Sequence, residues 1–306
     1  MKAEIEKVYG EIHSQLNRTP LLGNQSLEVL AGCKLRFKME NEQITGSFKL
    51  RGVLSKFREL KTGLDPVEQV VAASTGNHAL AVCHVARASG VTPLIFVPEN
   101  VSRSKLAQLQ NLGVEIRQQG LQCGETEQIA LDYAQAHGIP LIHPYNDLAV
   151  IAGQGTIGLE LMEQLKQIDQ VFVPVGGGGL ISGIASCLKE TLPGVKIIGV
   201  QPRNACEMAE SIARGRIVAP LDLDTVSDAT AGGLDPGTIT YDLCRDLVDG
   251  FVLVEEQDII RALKLIEDHL EIRIEPAAAL SLAGILKEKE RVAGGSCVAI
   301  ISGGNI

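Results

Sequence analysis

Four consecutive glycines, Gly176, Gly177, Gly178 and Gly179, follow an apolar run at 170–175 and precede an amphipathic segment that extends through Lys189. In regular structure a glycine costs about 0.5–1 kcal/mol relative to alanine, so four in a row need an offsetting role. With no Cβ in the way, their N–H groups can converge on an anion at the start of the following helix. No Gly-Lys-Ser/Thr follows, so this is not a Walker loop, and no register fits the G-x-G-x-x-G dinucleotide fingerprint. A single phosphate monoester suits the run better than a nucleotide. The feature also dictates local fold: a buried strand, a tight loop and a helix.

That unit recurs along the chain. Residues 70–73 read as a buried strand, 76–90 as a helix closing near Gly90, and 92–97 as the next strand. A helix over 102–112, a short strand at 114–117, a helix at 125–137 and a strand at 141–143 follow. After Asp147 the spacing predicts a helix over 153–167, the strand and glycine loop, and another strand at 196–201. Helices at 258–271 and 276–290 and a strand at 297–302 complete the series. Alternation of this kind implies doubly wound α/β architecture with buried parallel strands, and ligands at the carboxyl ends of the strands. Two such layers meet near residue 146. No linker or short repeat is visible, and with the sequence stopping shortly after Gly304 we expect no appended regulatory domain.

Composition excludes several functions. The 306 residues are 45% hydrophobic and 21% charged, as in an ordinary soluble protein. Aromatics make up 3%, with no Trp, too few for stacking on single-stranded nucleic acid. The net charge of −9 gives no overall attraction to nucleic acid or an anionic membrane. The polar start of the chain lacks the apolar core of a signal peptide. The longest uncharged run, 170–188, holds Pro174 and five glycines, which suits strand, loop and helix rather than a membrane span. Seven scattered cysteines without a C-x-x-C point to reduced thiols in a cytoplasm. No H-E-x-x-H occurs, and His78 and His84 would not share a helix face, so no histidine zinc site is expected.

Three further motifs accompany the glycines. Ser74-Thr75-Gly76-Asn77-His78 lies between a strand and a helix, where its hydroxyls, amide and backbone donors can grip a carboxylate. Helix capping by Ser74 or Thr75 is the plainer alternative, although capping needs only one such residue. Lys49 sits in Thr45-Gly46-Ser47-Phe48-Lys49-Leu50-Arg51-Gly52, with Arg51, Lys56 and Arg58 at helical spacing. Taken alone, such a lysine reads as solvated surface. A reactive amine needs its pKa lowered by burial or a nearby cation, and Phe48 and Leu50 are placed to desolvate it. Ser302-Gly303-Gly304-Asn305 ends the last strand and reads by itself as a turn. Glu275, before Pro276, reads as an acid at a helix start.

In this order and at these spacings the four motifs resemble those of fold type II pyridoxal-phosphate enzymes. The closest likeness is to the serine/threonine dehydratase family, which includes short catabolic threonine dehydratases and serine racemases. The match runs from Arg18-Thr19-Pro20-Leu21 to Gly304. It includes the distinctive stretch Val150-Ile151-Ala152-Gly153-Gln154-Gly155-Thr156-Ile157-Gly158-Leu159-Glu160. The resemblance implies two doubly wound parallel-sheet domains of the tryptophan synthase beta-like type. A large cofactor-binding domain would comprise 1–68 and 147–306. A small domain, 69–146, would carry the substrate-carboxylate loop.

Roles follow from the resemblance. Lys49, flanked by Phe48, would hold the aldehyde of pyridoxal 5'-phosphate as a Schiff base. Gly176, Gly177, Gly178, Gly179 and Leu180 would bind its phosphate through backbone amides. Asn77 would bond the ring 3-hydroxyl, and Ser302 would face the ring nitrogen. Ser74, Thr75, Gly76 and His78 would surround the substrate carboxylate. A hydroxyl at the ring nitrogen does not enforce a positive ring, which favours prompt loss of a β-leaving group over transamination. The implied reaction is loss of water and ammonia from L-threonine, L-serine or a related 3-hydroxy amino acid, with Lys49 as the Cα base. Racemisation, β-replacement and a non-catalytic amino-acid sensor are the alternatives. A homodimer is implied, with no nucleic-acid or membrane partner.

The sequence departs from the family pattern at several points. Thr75 stands where serine racemases have the serine that protonates the opposite face. Ser227-Asp228-Ala229-Thr230-Ala231-Gly232-Gly233 replaces the usual Ala-Asp-Gly, and Pro276-Ala277-Ala278-Ala279 replaces Gly-Ala-Gly after the glutamate. Gln201, Ala205 and Glu207 lie where some relatives bind a divalent cation. Gln201 removes one charge there, so no metal is expected.

Overall fold

Apolar runs that recur between amphipathic segments assemble here into two separate sheets. The computed structural model describes residues 1–63, 65–219 and 223–306. The chain begins with α1 (Lys2–Ile12), β1 (Leu21–Leu22), α2 (Gln25–Ala31), β2 (Lys34–Met39) and α3 (Lys49–Lys61). Then come β3 (Gln69–Ala73), α4 (Asn77–Ser89), β4 (Thr92–Val97), α5 (Arg103–Gln110), β5 (Glu115–Gln118) and α6 (Cys123–His137). The next stretch holds α7 (Leu148–Gln164), β6 (Gln170–Pro174), α8 (Gly179–Thr191), β7 (Lys196–Pro202), α9 (Glu207–Arg214), α10 (Ile239–Leu247) and β8 (Gly250–Val254). It closes with α11 (Glu256–Leu270), α12 (Pro276–Lys287), α13 (Lys289–Val292) and β9 (Ser296–Ile301).

Strands β3, β4 and β5 form a parallel three-stranded sheet in chain order. The second sheet has the order β1-β2-β9-β6-β7-β8 and is parallel except at its β1 edge. Its centre brings together distant parts of the chain. Strand β9 lies between β2 and β6, pairing Met39 with Ile301 and Phe172 with Ala299. Parallel pairing puts the carboxyl ends of all three at one edge, where the loops that follow them can meet. These strands are buried on both sides, with Phe37, Val173 and Ala299 fully enclosed.

Helix α3 packs against α7 closely enough that glycine is required. A Cβ on Gly153 would lie 2.3 Å from Arg51 O. Beside that contact is a buried charge network. The Arg51 guanidinium reaches Glu40 through Nε at 2.7 Å and Glu160 through Nη1 at 2.7 Å, and Lys38 Nζ donates to Glu160 Oε2 at 2.5 Å. All four side chains are at 0% exposure. Two cations and two carboxylates thus offset one another in the core. Lys56 is half-buried and pairs with Asp147 at 2.7 Å, and Arg58 pairs with Glu4 and Glu11.

Several boundaries differ from expectation. Residues 141–143 form no strand but a single bridge, Val71 to Leu141. Pro140 and Pro144 bracket them and lack the N–H a longer ladder needs. Helix α7 starts well before 153, because Asp147 Oδ1 accepts from Ala149 N and Val150 N at 2.8 and 3.2 Å and caps it. The helix expected over 276–290 is broken at Glu288, which leaves helical geometry with φ −94° and ψ 22°.

Candidate active site

Three of the four motifs continue directly from strand ends. Ser74 follows β3, Ser302 follows β9, and Gly176 is separated from β6 only by Val175. The fourth, Lys49, opens α3 and is stitched to the Ser302 loop. Phe48 N donates to Ser302 O at 3.1 Å, and Ser47 bridges Gly303 in antiparallel fashion.

The Lys49 residue retains partial exposure, while its amine is largely withdrawn from water. Burial draws its pKa from 10.5 down to about 8, against the pull of the Glu127 and Glu275 carboxylates. Its Nζ donates to Pro144 O at 2.9 Å and lies 5.2 Å from the Phe48 ring centroid. Burial and the charge of Asp235 push Glu127 up to about 7, opposed by Lys49. An amine and a carboxyl of one site thus change charge close to neutral pH.

At the glycine loop, Gly178 takes φ 86° and ψ −3°, left-handed geometry that favours glycine, and α8 starts with no side-chain cap. A Cβ on Gly177 would lie 2.3 Å from the Tyr145 ring, and one on Gly179 would lie 2.9 Å from Tyr145 Cβ. One at Gly176 would lie 3.0 Å from Thr230 Cα. Packing from behind thus excludes side chains from the loop, and an uncapped helix start provides backbone donors. That donor set fits a phosphate monoester.

The segment His143-Pro144-Tyr145-Asn146 joins loop and lysine. Pro144 receives Lys49, while the Tyr145 ring backs the glycines and its hydroxyl accepts from Asp235 N at 3.0 Å. His143 Nε2 is 2.8 Å from Asp235 Oδ2. Burial pushes the Asp235 carboxyl up, but the bond to His143 and its charge outweigh this and hold it below its usual range. Sequence reading missed this segment, as it missed Glu127 and Asp235. Its only local signal is a dense set of polar groups and a proline after an apolar run.

On the other side, α4 has Gly76 as N-cap and no side-chain cap, so Ser74 and Thr75 are not spent on capping. Ser74 Oγ accepts from Gly76 N at 3.2 Å. Asn77 Nδ2 donates to Glu275 Oε2 at 2.7 Å, and Ser302 Oγ donates to Glu275 Oε1 at 3.4 Å. Glu275 sits at the N-cap of α12 without capping it by its side chain; the carboxyl turns to Asn77 and Ser302 instead. Burial raises its pKa, opposed by the Asn77 bond.

His78 is buried, and burial together with the Lys49 charge pulls its pKa down to about 3, so the ring is neutral. Its Nε2 lies 2.7 Å from Ile142 O and must carry the proton, which leaves Nδ1 bare and without a partner. In that tautomer the ring has no N–H left for a carboxylate, although the backbone N–H at the helix start remains. At the Gln201 cluster, the amide Oε1 accepts from Ala209 N at 2.9 Å and Nε2 donates to Ala205 O at 3.4 Å. No described helix is long and apolar enough to cross a membrane.

An amine of lowered pKa, an uncapped glycine loop and an amide–carboxyl–hydroxyl ladder together suit a phosphorylated aldehyde. Comparison with known proteins agrees. The sequence profile of the pyridoxal-phosphate dependent enzyme family matches residues 12–303. The chain is 38% identical over 303 residues to an L-threonine ammonia-lyase of Thermotoga maritima, covering 99% of this chain and 75% of that protein. It is 37% identical over 287 residues to a serine racemase of Arabidopsis thaliana, covering 94% of this chain and 86% of that protein. Maize serine racemase superposes with a TM-score of 0.92 at 34% identity, over 100% of this chain and 93% of that one. The chain therefore belongs to the pyridoxal-phosphate dependent enzyme family, and its cofactor is pyridoxal phosphate.

Proposed function

We propose that the protein is an ammonia-lyase that removes water and ammonia from L-threonine, L-serine or a related 3-hydroxy amino acid, releasing a 2-oxo acid. The observation that carries this reading is the Lys49 amine, with its pKa lowered to about 8 by burial. It donates to the segment that also backs the glycine loop. An amine poised near neutrality is suited both to hold an aldehyde and to carry a proton. The likeness to an L-threonine ammonia-lyase and to catabolic L-threonine dehydratases supports the substrate class.

Bound pyridoxal phosphate supplies an aldehyde for the substrate's amino group and an electron-accepting ring that acidifies its Cα–H. Lys49 would hold that aldehyde and would take the Cα proton of a bound substrate. Phe48 shields it. The N–H groups of Gly176, Gly177, Gly178, Gly179 and Leu180 would bind its phosphate, Asn77 would donate to the ring oxygen, and Ser302 would lie towards the ring nitrogen. Ser74, Thr75 and Gly76 hold the substrate carboxylate, with His78 serving through its backbone N–H. Residues 1–68 and 147–306 make the cofactor-binding domain and 69–146 the carboxylate-binding one, a division supported by the separate three-stranded sheet. We assign a homodimer in the cytoplasm; all seven cysteines are free, which supports a reducing compartment.

Racemisation is the second reading, favoured by the likeness to serine racemases and by a Thr75 that is not spent on capping. One experiment covers both. The purified protein is expected to absorb in the Schiff-base band, to bleach with borohydride, and to lose the band in Lys49→Ala. L-threonine, L-serine, threo-3-hydroxyaspartate and phenylserine are then supplied separately, and 2-oxo acid and D-isomer are measured. Racemised serine without pyruvate overturns the lyase assignment.

A further inference from the structure

The geometry points to Asn305 as a positioning residue that fixes the side-chain amide of Asn77. Its Nδ2 donates to Thr45 O at 2.9 Å and to Asn77 Oδ1 at 2.7 Å. A primary amide has two N–H donors, so both are used. A backbone carbonyl such as Thr45 O only accepts, which settles which end of the Asn305 amide is nitrogen. Asn77 must then turn its oxygen to Asn305 and its nitrogen away. That nitrogen gives one hydrogen to Glu275 Oε2 at 2.7 Å and keeps one. The inference rests on the proposed function, in which this remaining N–H meets the ring oxygen of the cofactor. A flipped Asn77 would set its own oxygen against that oxygen and against the Glu275 carboxyl.

Two observations separate this role from simple docking of the segment. The backbone already holds residues 302–304: Gly304 N donates to Gly46 O at 2.9 Å, Phe48 N to Ser302 O at 3.1 Å, and Ser47 bridges Gly303. The Asn305 side chain is not needed for that. Moreover, Gly46 takes φ 72°, and a Cβ there would lie 2.3 Å from Asn305 Oδ1. The loop that leads to Lys49 thus leaves room for this amide where any other residue would block it.

The test uses Asn305→Ala and Asn305→Asp, the second keeping the shape but having no N–H to give. The readouts are the dissociation constant of pyridoxal phosphate, the pH titration of its bound absorption band, and the melting temperature of the cofactor-free protein. Asn77→Ala and the double variant with Asn305→Ala complete a cycle. Both Asn305 variants are expected to weaken cofactor binding roughly threefold to tenfold, the worth of one partly exposed hydrogen bond. They should move the titration midpoint in the same direction as Asn77→Ala, with the cofactor-free melting temperature unchanged. In the double variant, Asn305→Ala should add nothing to the loss from Asn77→Ala. If Asn77→Ala loses affinity while both Asn305 variants match the parent, the positioning role fails and the proposed function stands. If Asn77→Ala itself changes nothing, its assignment as a cofactor ligand fails, and this inference with it. A cofactor-free melting temperature that falls in step with affinity would assign Asn305 to docking the segment and also overturn the proposal.

Discussion

Replacing Lys49 with methionine should stabilise the cofactor-free protein at neutral pH. Burial lowers the Lys49 pKa from 10.5 to about 8. At about 1.4 kcal/mol per pH unit, holding the charge in the folded state costs at most about 3.5 kcal/mol. Methionine removes that cost but loses the 2.9 Å bond to Pro144 O, worth about 1 kcal/mol. Partial exposure of Lys49 softens the penalty further, leaving a net gain of about 1–2 kcal/mol. In a chain of this size that raises the melting temperature by about 2–4 °C. The sign depends on pH. Between 8 and 10.5 the unfolded chain binds more protons than the folded one, so the parent gains stability as pH rises through that window. Its deficit against Lys49→Met is therefore full below pH 8 and gone near 10.5, where the neutral amine still bonds Pro144. Thermal unfolding of both cofactor-free proteins at about pH 7 and about pH 9.5 measures this difference. A methionine variant less stable than the parent at pH 7, or a gap that does not shrink with pH, refutes the account of Lys49 as a desolvated amine.

Three other substitutions test separate parts of the site. Gly177→Ala places a Cβ 2.3 Å from the Tyr145 ring, an overpacking worth about 1–3 kcal/mol. Moving that ring should raise the cofactor dissociation constant by about tenfold or more in an absorbance titration. Glu160→Ala leaves Arg51 and Lys38 short of a shared carboxylate at 0% exposure and should cost about 3–5 kcal/mol in urea unfolding. Thr75→Ser, tested with L-serine, should raise the ratio of D-serine to pyruvate, because it removes the methyl group beside the hydroxyl. An unchanged ratio removes Thr75 from any proton-delivering role.

Local chemistry made much of the molecule readable in advance. The tetraglycine followed by a helix, the polar stretch from Ser74 to His78, and Ser302 after a strand are all set by neighbours within a few residues. So are most strands of the α/β series. Misplaced boundaries came from devices that hydrophobic period does not register, such as the Asp147 cap and the prolines around 141–143. Arg51 gave no local sign of its burial. Its spacing with Lys56 and Arg58 suits a wet helix face, and only Glu40 and Glu160 make burial affordable.

From the sequence alone came a doubly wound α/β enzyme, an anion loop and a lysine with a reason to be reactive. It carried these because glycine, proline and apolar period act on the backbone where they stand. Tertiary structure alone decided what Lys49 touches and how charged it is. Pro144 is 95 positions away, Glu275 lies 198 from Asn77, and Asn305 lies 228 from it. No local rule reaches across such distances. They are closed by the insertion of β9 between β2 and β6, which gathers loops from both ends of the chain at one sheet edge. Desolvation exists only once those loops have met, and it is desolvation that brings an ordinary lysine down to about 8.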